Sequence, residues 1–152
     1  MRHVESIGIS SLWVVTIFHF LPALTMLPLI LSIPNASRQD WARASIAGLL
    51  VGAGFVFYAL GLIVSSVTKT VVLFYMTPIW STIFAYFVIN ERVGLARWLA
   101  IFGGIFGCAL VMDLNGQTIH FNAADLLGLF SGVFWALGSV AVRRFNKINF
   151  LR

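Results

Sequence analysis

The chain has 152 residues, of which 60% are hydrophobic and only 10% charged, against about 25% charged in an ordinary soluble domain. So little charge cannot coat a water-facing surface, and the apolar residues come in long blocks between brief polar islands, which excludes a soluble globule and makes the lipid bilayer the solvent. The net charge of +5 invites a nucleic-acid partner, but the basic residues stand singly or in pairs between apolar blocks, with no basic patch interleaved with aromatics, and that excludes the class.

Five candidate spans are read along the chain, at Ile7 to Ile33, Ala44 to Ser66, Thr70 to Ile89, Gly94 to Met112 and Ala123 to Val142. Each is near the ~20 residues that cross ~30 Å of hydrocarbon. The expected fold class is an all-α polytopic bundle of about five transmembrane helices, with short linkers that force antiparallel neighbours. The first span is too long for a signal peptide and carries Pro22 and Pro28, so it reads as a kinked span. His19 lies at its centre, a candidate proton carrier or hydrogen-bond donor to a substrate. Pro34, Asn35, Ser37 and Asp40 fill the first linker; its Asn35-Ala36-Ser37 sequon reads as a plain loop.

On the second span Gly48, Gly52 and Ala59 share a face. Ser65 to Lys69 form the next linker, where Lys69 either snorkels to headgroups or attracts an anionic substrate. The third span is richer in polar residues than packing requires. Thr70, Thr77 and Ser81 share one stripe, and Tyr75, Thr82 and Tyr86 a second, about 140° away. Pro78, near the middle, frees the carbonyl of Phe74, which hydroxyls or water must satisfy. Two readings stay open: Thr77 and Ser81 bond back to their own helix beside a simple kink, or the span lines a polar cavity.

Asn90 to Arg92 make the third linker, where helix capping and a local ion pair account for Glu91 and Arg92. The fourth span carries Ala100, Gly103, Gly104 and Gly107 within about 100° of one another. It also holds Cys108, the sole cysteine, so neither a disulfide within the chain nor a cysteine-based metal site is available. Asp113 to Asn122 form the fourth linker, with Asn115-Gly116 as a turn. On the fifth span Gly128, Ser131, Gly132, Trp135 and Ser139 align. The small residues serve tight helix packing or, alternatively, faces that slide during transport.

The basic residues divide two against eight: Arg2 and Lys69 on one side; Arg38, Arg43, Arg92, Arg97, Arg143, Arg144, Lys147 and Arg152 on the other. By the positive-inside rule the N-terminus of this chain faces out and the C-terminus is cytoplasmic. That places the protein in the cell membrane, the inner one if the source is Gram-negative, and hints at a helix upstream.

The stretch SSVTKTVVLFYMTPIWSTIFAYFVINERVGLARWLAIFGGIFGCALVM, Ser65 to Met112, resembles the second half of an EamA-type domain of the drug/metabolite transporter superfamily. The resemblance lies in a short loop into a helix with Thr77-Pro78 at mid-membrane, an acidic turn at Asn90-Glu91-Arg92, and a glycine-rich helix entered through Arg97-Trp98. Ala124 to Arg144 resembles the first helix of that family's second repeat, with Gly128, the Trp135-Ala136 pair and closing arginines. Such proteins have ten helices in two inverted five-helix repeats, keep both termini in the cytoplasm and export or exchange small metabolites. The resemblance implies that the five spans are helices two to six, that 1–113 is most of a first repeat lacking its first helix, and that 114–152 is a linker and the first helix of a second repeat whose remainder is missing.

The function expected is therefore a small-metabolite or drug transporter, an exporter or exchanger, in partial form. Its small-molecule substrate would sit near the midplane against His19, Lys69, Tyr75, Thr77, Pro78, Ser81, Ser131 and Trp135. No catalytic residue, metal or cofactor is expected. A membrane enzyme is disfavoured because paired carboxylates, a His/Asp/Glu cluster and a nucleophile with a nearby base are all lacking at a membrane surface. The alternative is a non-transporting membrane subunit or scaffold whose glycine faces bind partner helices. A homodimer stays open, although a small multidrug-type dimer conflicts with the odd number of spans and the strong charge bias.

Overall fold

A computed structural model describes residues 11–31, 37–114 and 122–146. Pro34 and Asn35 of the first linker and the Asn115-Gly116 turn lie outside them. The described residues are helical throughout their elements, with no strand: α1 (Ser11–Leu31), α2 (Arg38–Val64), α3 (Val67–Phe74), α4 (Thr77–Ile89), α5 (Leu95–Leu114), a 3-10 turn (Ala123–Asp125) and α6 (Leu126–Asn146). The chain divides into two compact units, Met1–Trp41 and Ala42–Arg152.

In the first unit, α1 runs unbroken through Pro22 and Pro28, and Thr25 Oγ1 donates to the Pro22 carbonyl at 2.9 Å. Ser37 and Asp40 do more than fill a loop. Asp40 N donates to Ser37 Oγ at 3.2 Å, and Ser37 N and Oγ donate to Asp40 Oδ2 at 3.1 and 2.7 Å. This reciprocal cap satisfies orphan amides and starts α2 at Arg38, ahead of the apolar run that begins at Ala44.

In the second unit the span expected from Thr70 begins at Val67, and it is two helices rather than one. Proline has no N–H to give and its ring blocks the carbonyl four residues back, so Pro78 ends α3 at Phe74, with Tyr75 and Met76 as the turn. Pro78 then sits in the first turn of α4, where a helical amide has no partner to lose. Asn90 closes α4 in the left-handed conformation (φ 55°), a short polar side chain at the position helices often end on.

Close backbone approach holds α2, α3, α4 and α6 together, as expected where water cannot drive association. Gly54 of α2 faces the Ser131 carbonyl and Trp135 backbone; Gly61 and Gly128 flank Thr70; Gly132 lies against the α3–α4 break; Gly138 abuts Val51. Aromatic rings fill between: Phe55 stands edge-on to Trp135 at 4.6 Å, and Phe57 tilts against Phe134 at 5.2 Å. The expected packing faces are realised for Gly128, Gly132 and Ala59 but not for Gly48, Gly52, Gly103, Gly104 or Gly107, whose added Cβ would meet nothing within 4 Å. On α2 the residues that pack are Gly54 and Gly61, because helix rotation turns them, and not Gly48 and Gly52, toward α6 and α3.

The two ends of this unit differ in charge. At one end Ser65, Lys69 and Asp125 meet. At the other, Glu91 accepts from Arg97 Nη1 and Arg143 Nη1, both at 3.0 Å, and Arg144 Nη1 donates to the Val88 carbonyl at 3.1 Å. Glu91 therefore ties three elements together, pairing with Arg97 and Arg143 where its turn suggested a local pair with Arg92. Large apolar side chains face outward, Leu49 73% and Phe87 75% exposed among them. Arg38–Val64, Val67–Ile89 and Ala123–Phe145 are each long and apolar enough to cross a membrane. The chain is an all-α, multi-pass membrane protein.

Candidate functional site

A cleft of about 470 Å³ lies between α3/α4 on one side and α5 on the other. Lys69, Tyr75, Met76, Pro78, Ser81 and Thr82 form one wall, and Arg97, Ile101, Gly104 and Cys108 stand on the other. It exists because α5 meets the bundle chiefly along α3, and because Gly104 of α5 carries nothing that would fill the space.

The wall on α3/α4 is built by Pro78. Its ring frees the Phe74 carbonyl, and the Thr77 hydroxyl donates to that oxygen. Ser81 Oγ at 3.1 Å and Thr82 Oγ1 at 2.7 Å both donate to the Pro78 carbonyl. Their protons are thus committed to their own helix, and what they offer outward is acceptor lone pairs. The hydroxyls thus bond back to their own helix beside a break rather than a simple kink, and the cleft the span lines is mostly apolar.

Of the residues singled out in the sequence, Lys69, Tyr75, Pro78 and Ser81 line the cleft. Thr77, Ser131 and Trp135 lie on the packed side of the break instead. Thr77 Oγ1 would stand 3.2 Å from a Cβ on Gly132. Ser131 is fully buried, donating to the Gly128 carbonyl at 2.6 Å. Trp135 packs edge-on to Phe74, ring centres 6.0 Å apart. His19 belongs to the other unit.

Sequence reasoning overlooked Asp125. It is 1% exposed, pairs with Lys69 Nζ at 3.5 Å, accepts from the Ser65 hydroxyl, and forms a capping box with Asn122, whose amide reaches Asp125 Oδ2 at 2.9 Å. The signal was present: a cap residue followed three positions later by a carboxylate, directly before an apolar run. Arg97, a topology marker and part of the Arg97-Trp98 helix entry in the sequence, also lines the cleft. Among the described residues no three His, Cys, Asp or Glu side chains are grouped as a metal site requires.

Comparison with known proteins places this geometry in context. The S-adenosylmethionine uptake transporter of Rickettsia prowazekii is 28% identical over 100 residues, 66% of this chain and 33% of that protein. The riboflavin transporter of Vibrio cholerae is 31% identical over 71 residues, 47% of this chain and 23% of that protein. The uncharacterized transporter YoaV of Bacillus subtilis is 27% identical over 108 residues, covering 69% and 36% respectively. The chain thus spans about a third of the length of the curated relatives it matches most extensively. No solved structure gives a significant match. The profile of the EamA-like transporter family matches residues 1–113, and the chain belongs to that family.

Proposed function

We propose that this chain is part of a membrane transporter of small metabolites, non-enzymatic in action, and that solute moves along the cleft beside the α3–α4 break. The observation that carries this reading is the break itself: irregular backbone at membrane depth persists where it is buried in protein or lines a cavity, and Tyr75 and Met76 open onto one. Residues 1–113 correspond in this reading to most of a first repeat, and 114–152 to the start of a second. Lys69, Tyr75, Pro78 and Ser81 contact solute directly; Thr77, Ser131 and Trp135 hold the break in shape. The arginine-rich end, with Arg43, Arg97, Arg143 and Arg144, faces the cytoplasm, and the Lys69–Asp125 end faces out.

The relatives named for S-adenosylmethionine uptake and riboflavin transport supply the first solutes to try, in both directions, since sequence reasoning favoured export or exchange. The test uses the complete gene product in liposomes. Gly104 lines the cleft and Gly103 does not, and neither meets an atom within 4 Å. Gly104→Trp should fill the cleft and lower flux at least tenfold, while Gly103→Trp carries solute at the wild-type rate. Equal flux in two stably folded variants would falsify the assignment of the cleft. A second reading, a scaffold or dimer subunit, is favoured by the open glycines of α5; loss of a partner helix or second copy in Gly103→Trp, with flux absent from the wild type throughout, would support it.

A further inference from the structure

We infer that Asp125 is the residue that sets the charge selectivity of the cleft: by holding Lys69 as one half of a neutral pair, it makes the cleft accept neutral or zwitterionic solutes in preference to anions. This rests on the reading of the cleft as the solute path. Lys69 is the cation on the α3 wall, and its side chain is only 14% exposed. A lone ammonium there, in a low-dielectric channel, would be a strong anion trap. Asp125, 3.5 Å from Nζ and 1% exposed, cancels that field.

The carboxylate is itself firmly placed. The Ser65 hydroxyl and the Asn122 amide donate to it, and it sits at the start of α6, where the helix dipole favours a negative charge. Asp125 does not line the cleft, so it acts on solute through Lys69 and is a positioning residue. At the opposite end Arg97, the other cation of the lining, bonds Glu91 at 3.0 Å but shares that carboxylate with Arg143, so that end keeps a net positive charge. Each cation of the cleft thus contacts a carboxylate that stands outside it, and between them a mostly apolar lining offers the hydroxyl acceptors of Ser81 and Thr82. A solute with N–H or O–H donors and no net charge fits the Lys69 half of this lining.

Cys108 is the sole cysteine of the chain and lines the same cleft as Lys69, so it reports the local potential without any known substrate. The experiment measures its rate of reaction, in the complete gene product reconstituted in liposomes with any further cysteine replaced by serine, with three methanethiosulfonates: anionic sulfonatoethyl, cationic trimethylammonioethyl and a neutral methyl reagent. In Asp125→Asn, which keeps the size of the side chain and one acceptor oxygen, the anionic-to-cationic rate ratio should rise about tenfold. Lys69→Gln should lower it, and Lys69→Gln with Asp125→Asn should restore the wild-type ratio. The neutral reagent monitors folding and access in each variant. A ratio unchanged in Asp125→Asn, with the neutral rate intact, overturns the inference while leaving the cleft standing. No reaction of wild-type Cys108 with any of the three overturns the cleft as a solute path, and the inference with it.

Discussion

Gly128→Ala and Gly104→Ala are the same chemical change, and the structure separates them. A Cβ on Gly128 would stand 3.0 Å from Thr70 Cα, 3.1 Å from Thr70 O and 3.2 Å from Leu73 Cβ. None of these atoms can rotate aside, so α6 must back away from α3 by a few tenths of an ångström, pulling at the Asp125 anchor three residues earlier. Overpacking of this kind costs about 1–3 kcal/mol. Alanine recovers about 1 kcal/mol over glycine in a helix interior, leaving a net loss of about 0–2 kcal/mol. Gly104 meets nothing within 4 Å, so only the helical gain of about 1 kcal/mol acts there. The two variants should differ by about 1–3 kcal/mol, which for a domain of this size is roughly 2–12 °C in Tm. Heating detergent-solubilised protein and measuring the folded fraction by size exclusion reads the difference. A Gly104→Ala protein that melts as early as Gly128→Ala would show that the packing of α6, or the openness of α5, has been misassigned.

Two further outcomes follow from the same geometry. Thr77→Val deprives the Phe74 carbonyl of its hydroxyl donor and should cost about 1–3 kcal/mol in thermal denaturation, whereas Thr77→Ser keeps the donor and should melt near the wild type; equal Tm values for the two would remove the hydroxyl from the account of the break. In a background without Cys108, cysteines at Arg38 and Arg92 should resist an impermeant thiol reagent applied to intact cells and one at Gln117 should react; labelling of the Arg92 position from outside reverses the orientation.

Much of the fold is legible in residue type. Long apolar runs locate the helices, and Pro78 locates the freed carbonyl at Phe74 and the threonine that satisfies it. Helix starts were less legible where a cap extends beyond the apolar run, as Ser37 and Asp40 do for α2. The division of the third span was missed because a proline in a continuous apolar run reads equally as a kink or a break, and only the turn at Tyr75–Met76 decides. Glycine spacing indicated which faces are small but not which are covered: Gly48 and Gly52 repeat at four residues and stay open, while Gly54 and Gly61, seven apart, carry the packing. The site split for the same reason. Thr77 and Ser81 lie four residues apart on α4 and share a stripe in an ideal helix, yet Thr77, at the start of α4 beside the break, lies against α6, while Ser81, one turn on, lines the cleft. Asp125 was hidden because its partners, Ser65 and Lys69, lie 60 and 56 residues away, a proximity that no local pattern contains.

The most direct test of the cleft as the solute path is water access along α4 and α6 in the complete gene product lacking Cys108. Single cysteines replace Ser81, which lines the cleft, and Ser131 and Trp135, which lie behind the break. Thiols in lipid or in packed protein are rarely ionised and react slowly with hydrophilic reagents. A cysteine at Ser81 should therefore label readily and be protected by transported solute, while those at Ser131 and Trp135 stay unlabelled. Protection of all three without solute, or labelling of Ser131 in preference to Ser81, would contradict a solute path between α3/α4 and α5.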